Sequence, residues 1–141
     1  MTVKQLFDFA LKIGMEADPR GIKLVQKSLV KMKKQFHDLK PSEKEYFNAE
    51  RLTNPYPDSA IHNDDNKTEV KRLMVGIDIT VSEILLASQL NERGKKIDLV
   101  MSHHPVGSAL ANLHEVMDMF IEVYESMGVP VHIAEKIIEM M

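Results

Sequence analysis

The chain has 141 residues, 18 Lys and Arg against 21 Asp and Glu for a formal charge of −3, 44% hydrophobic and 28% charged residues, and no cysteine. That length suits one domain, and the apolar content is too high for a disordered chain. Without cysteine there is neither a disulfide framework nor a thiolate metal site, so a metal would have to be held by His, Asp and Glu.

No segment reaches the roughly 18 uninterrupted apolar residues of a membrane span. Met1 to Gly14 also lacks the basic, apolar, small-residue order of a signal peptide. The expectation is a cytoplasmic chain with no membrane partner, and the mildly acidic balance supplies no overall field for nucleic acid.

In chain order, residues 1–51 read as a helical region. Val3, Leu6, Ala10 and Ile13 are spaced three, four, three, and Ile22, Val25, Leu29, Met32, Phe36 and Leu39 continue the rhythm, the spacing of a coiled-coil-like seam. Between the runs lies Ala17-Asp18-Pro19, with Asp18 as a helix cap and Pro19 at a first helical position. The two helices are expected to fold back as a hairpin with their seams buried on each other. Ser42-x-x-Glu45 after Pro41 has the form of a capping box and announces a third, short helix. Lys23, Lys27, Lys31 and Lys34 make a basic stripe opposite the seam, most simply a wet face.

Residues 52–70 read as a turn-rich connection with a short strand, dense in Pro, Asn and Asp. From 71 to 141 the pattern is βαβαβ. Leu73 to Ile79 is a strand, Thr80-x-x-Glu83 a capping box, and Val81 to Arg93 a helix ended by Gly94. Ile97 to Met101 is a second strand, Asn112 to Met127 a helix stopped by Gly128, and Val129 to Ile133 a third strand. The fold class is α/β, a parallel or mixed sheet with crossover helices, preceded by the N-terminal helical hairpin. Such a sheet exceeds what two short helices can cover, so a homo-oligomer is expected.

Parallel strands deliver their C-terminal residues to one edge, where open α/β folds bind ligands. That edge would collect Asp78 and Thr80, then Ser102-His103-His104-Pro105, then His132 to Glu135. Successive strand residues point to opposite faces, and Pro105 keeps His104 extended, so the two imidazoles are expected to diverge. Divergent rings suit two metal ions better than one. A surface-loop role for the histidine pair is the plainer alternative. Asp78 reads either as a metal ligand or general base, or as a helix cap beside Thr80. His114 is a candidate outer-shell or substrate-binding group, although a solvated first-turn position also explains it. His37, His62 and His132 read as structural.

The stretch Asp98-Leu99-Val100-Met101-Ser102-His103-His104-Pro105, preceded by Arg72-Leu73-Met74-Val75-Gly76-Ile77-Asp78, resembles the signature of the NIF-three-like proteins, also called GTP cyclohydrolase type-two-like. The resemblance covers roughly Asn54 to Glu135 and is strongest over Lys71 to Pro105. It implies an α/β fold, ring-shaped hexamers and a dinuclear centre of divalent ions, zinc first, with iron, manganese or magnesium as alternatives. His103 and His104 would be ligands. The family's aspartate after the third strand is missing here, and Glu135, or else Glu139, would replace it.

The family's remaining ligands, a His and a Glu in a second half, are absent as well. The chain ends at Glu139-Met140-Met141 within a predicted helix and looks like the N-terminal portion of a longer protein. Reduced metal affinity and no complete dinuclear centre are therefore expected. The resemblance implies a metal-dependent hydrolase in which the ions acidify a water that attacks an electrophilic carbon or phosphorus of a nucleotide or related small molecule. The competing reading is a non-catalytic interaction or regulatory module with a structural metal.

Overall fold

Leu73–Gly76 (β1) and Leu99–Ser102 (β2) pair in parallel, Leu73 opposite Leu99 and Gly76 opposite Ser102. Parallel neighbours need a crossover, and the chain between them holds helix α4, Val81–Glu92. Its start matches the expected capping box: Thr80 Oγ1 accepts from Ser82 N at 3.2 Å, and the Glu83 carboxylate accepts from Thr80 N at 2.7 Å. Its end is closed by Gly94 at φ 77°, where a side chain would be strained. The start of the sheet is stitched by Asp98, whose Oδ2 accepts from Lys71 N and Arg72 N at 2.9 and 2.8 Å. These two amides hold the Asp98 carboxyl below its ordinary pKa.

The computed structural model describes residues 1–140 and all of their side chains except that of Asp118. The chain divides into two compact units that do not follow sequence order. The first comprises Met1–Ala10 and Asp58–Ala111, and the second Leu11–Pro57 and Asn112 onward. Helix makes up 57% of the residues, and the sheet has two strands.

The first unit holds the start of helix α1 (Val3–Ala17), β1, α4, β2 and the short helix α5 (Gly107–Ala111). Its buried apolar residues are Val3, Ala87 and Ala109. The expected turn-rich stretch is irregular, and in place of a short strand there is a single antiparallel bridge between Glu69 and Thr2. One face of the small sheet remains open: Val75 is 58% exposed, its partner Met101 is exposed, and Ile77 just beyond β1 is 64% exposed, whereas Met74 and Val100 on the other face are half-buried.

The second unit holds the rest of α1, helix α2 (Ile22–Asp38), α3 (Pro41–Lys44), a 3-10 turn at Ala49–Leu52, α6 (Leu113–Ser126) and α7 (Val131–Glu139). The α2 seam faces inward. Val25 is fully buried, and Phe36 meets Phe47 with ring centroids 4.8 Å apart. The expected hairpin does not form, however: among the described residues α1 and α2 do not pack along their lengths, and α2 lies on the 3-10 turn instead. Ile13, a seam residue of α1, is exposed.

The connection explains the difference. Asp18 caps nothing. Its carboxylate accepts from Arg20 N, Nε and Nη2 and from the Tyr56 hydroxyl, while Gly21, at φ 81°, precedes α2 with no side-chain cap. The third helix is also shifted from its expected box. Pro41 takes the first helical position, so Lys40 becomes the cap residue, and its N–H donates to Glu43 Oε2 at 2.8 Å.

The third expected strand is a helix. Residues 131–139 form α7, opened by Ile133 N and Ala134 N donating to Pro130 O, and it packs on α6 with Ala134 fully buried. Val129, Val131 and Ile133 alternate as in a strand. Val131, Ala134 and Ile138 recur as on a helix face, and burial against α6 decides between the two. The βαβαβ reading of 71–141 and the wider sheet are corrected accordingly. No helix among the described residues is long and apolar enough to cross a membrane.

Candidate metal-binding site

Because β1 and β2 are parallel, their C-terminal residues arrive at one edge, Gly76-Ile77-Asp78 from the first and Ser102-His103-His104 from the second. Two backbone bonds extend the pairing beyond the strands: His103 N donates to Gly76 O and His104 N to Ile77 O, both at 2.8 Å. In a regular strand successive N–H groups point to opposite sides. Two consecutive amides turned to the same neighbour therefore require the chain to bend between His103 and His104. Ser102 Oγ donates to Ile77 O at 3.2 Å and pins the bend.

The bend sets the rings side by side. Their centroids are 5.3 Å apart and their planes differ by 35°. The expected divergence, which assumed an extended chain up to Pro105, is corrected, and with it the argument that each ring must serve its own ion. Neighbouring imidazoles at this separation can share one ion or flank a bridged pair.

Asp78 belongs to the same cluster. Its Oδ1 lies 2.9 Å from His104 Nδ1, and both side chains are exposed. A carboxylate only accepts, so Nδ1 carries the proton and the lone pair of a neutral ring stands on Nε2. This is the usual outer partner of a metal-ligating histidine. The helix-cap role considered for Asp78 falls to Thr80. Gly76 makes the arrangement possible, since a Cβ there would lie 2.9 Å from Asp78 O and 2.7 Å from Ile79 Cδ1.

The other candidates stand elsewhere. With the third strand replaced by α7, Glu135, Glu139 and His132 lie on a helix of the second unit and not at a strand end. His114 is on α6 in that unit, lining a cavity beside Glu115. His37 is exposed at the end of α2. His62, read as structural, lies close to Gly107, so it stands near the loop that follows His104. Among the described residues, no three His, Asp or Glu side chains converge in a way that would hold a metal ion. Two imidazoles and an orienting carboxylate fit the binding of a divalent ion. They fall short of the three protein ligands typical of a catalytic zinc centre.

One polar cluster escaped the sequence reading. In the second unit Arg20 donates through Nη1 to Glu122 at 2.8 Å while gripping Asp18. Burial would raise the Asp18 pKa, but the Arg20 hydrogen bonds and charge and the Tyr56 hydroxyl outweigh it and hold the carboxyl below its ordinary value. Burial, reinforced by the bond to Asp18, pushes Tyr56 up to about 12. The Asp-Pro-Arg triplet was the available signal. Read as a turn, it places Asp18 within reach of Arg20; read as a helix start, it hides the pair.

Comparison of the chain with protein-family models, curated proteins and solved structures finds no match to any of them.

Proposed function

We propose that this chain binds divalent metal ions, zinc foremost, through His103 and His104, and that it contributes this site to a metal-dependent hydrolase acting on a nucleotide or related small molecule, as its resemblance to the NIF-three-like proteins implies. The observation that carries the metal reading is the pairing of Asp78 with His104 Nδ1 at 2.9 Å beside the ring of His103. In the neutral ring this contact turns the Nε2 lone pair outward as an oriented donor. A bound ion would acidify a water and polarise an electrophile. The chain's own contribution is to hold two rings by consecutive backbone bonds and to fix one tautomer with a carboxylate.

The donor set is short by at least one ligand. A further ligand from another segment or another copy would complete it, which accords with the proposed homo-oligomer, a hexamer by resemblance. The open face at Val75, Ile77 and Met101 favours a second reading, an interaction or regulatory module with a structural metal.

Metal content of the purified chain, zinc titration by calorimetry and hydrolysis of a nucleotide panel test both readings, with His103→Ala and His104→Ala as controls. Metal binding lost in both variants together with turnover supports the hydrolase. Metal without turnover supports the module. Zinc binding unchanged in both variants removes the site.

A further inference from the structure

Within the second unit, α2 and α6 face each other across a cavity of about 470 Å³, within the size range of small-molecule sites. The wall from α6 includes His114 and, spaced four and three on one helical face, Glu115, Met119 and Glu122. The facing wall from α2 includes Leu29, Lys31 and Met32.

The charges are arranged unequally. Glu122 shares Arg20, whose side chain is only 4% exposed, with the buried Asp18, and Glu115 pairs with Arg51. Lys31 also lines the cavity and, unlike Arg20 and Arg51, takes part in no ion pair among the described residues, so it is the lining cation left for a ligand. The Arg20–Asp18–Glu122 cluster holds the cavity's shape before any ligand arrives. The leucine and two methionines supply an adaptable apolar surface.

We propose that this cavity binds a small organic anion with an apolar body, the anionic group on Lys31 and the body against Leu29, Met32 and Met119. It uses none of the residues of the metal reading.

Anilinonaphthalene sulfonate is a suitable probe, with neutral N-phenylnaphthylamine as its uncharged counterpart. The sulfonate should saturate at one per chain and shift the backbone amide resonances of residues 28–35 and 113–122. Lys31→Glu, an exposed and fold-neutral change, should weaken it about tenfold. The neutral probe should bind more weakly and ignore that substitution. A His103→Ala, His104→Ala double variant should bind the sulfonate as the parent does, so loss of the metal site and loss of this site are read separately. Binding that does not saturate, resonance shifts confined to β1 and β2, or an unchanged affinity in Lys31→Glu would overturn the proposal.

Discussion

Arg20 and Asp18 meet as a fork, Nε to Oδ1 at 3.0 Å and Nη2 to Oδ2 at 2.9 Å, with side chains 4% and 2% exposed. Removing Asp18 leaves the buried guanidinium with only the half-exposed Glu122 and takes the acceptor from the Tyr56 hydroxyl. Asp18→Ala is therefore expected to cost about 3 kcal/mol, read as a fall in the urea midpoint. Asp8→Ala, which breaks the exposed pair with Lys4, should cost well under about 1 kcal/mol. Equal losses in the two variants would contradict the assignment.

Two groups of the same cluster give stability a pH dependence with opposite signs. Tyr56 keeps its proton to about pH 12 in the folded chain against 10.0 when unfolded. The unfolded state therefore releases that proton first, and stability falls as pH rises from 10.0 to about 12. Asp18 has a lowered folded pKa, so its contribution is present above the unfolded value of 3.8 and is lost as pH falls through the lower folded value. Denaturation midpoints across both ranges, with Tyr56→Phe flattening the alkaline limb and only weakening the acid one, which Arg20 mainly sets, check the signs.

At the histidine pair, Asp78→Asn should keep the fold and lower zinc affinity about 10- to 100-fold, the usual cost of losing a ligand's outer partner. Calorimetry of the parent should show no tight binding of two ions per chain, because among the described residues no three His, Asp or Glu side chains converge to hold an ion. An Asp78→Asn variant with parental affinity would separate Asp78 from the site.

Gly76→Ala tests the same site through the backbone. Ile79 Cδ1 can swing away from an added methyl, but Asp78 O, 2.9 Å from it, cannot without moving the residue that orients His104. The expected result is a less stable chain that also binds zinc more weakly than the parent at a temperature where both are folded.

Thr80→Ala removes the acceptor for Ser82 N and should cost about 1 kcal/mol, while Thr80→Ser should restore most of it. Thermal midpoints of the three chains decide the point.

What could be read in advance follows from how local each signal is. The Thr80 box and the Gly94 stop act within four residues, so α4 was legible to within a residue. β1 and β2 were found, though shorter than expected, because apolar runs flanked by charge mark strands. Val129 to Ile133 failed because five alternating residues fit either period, and the burial of Ala134 by α6 is a tertiary fact. At the site, Asp78, His103 and His104 were all named beforehand from strand order. The bend that brings the rings together was not, because it depends on which carbonyls of β1 the two amides find. Glu135 was placed at the edge only by the strand that became α7.

The two-stranded sheet also leaves one rim of each strand without backbone partners. Lys71 and Arg72 precede β1, and Lys95 and Lys96 precede β2, all four exposed at the same end because the strands run in parallel. A second copy adding its strand in parallel would stack like charges on like, whereas an antiparallel addition would set that cationic end against the other copy's Asp78. The polarity of these four side chains thus acts as a gatekeeper, disfavouring fibre-like propagation while leaving a closed two-fold pairing open.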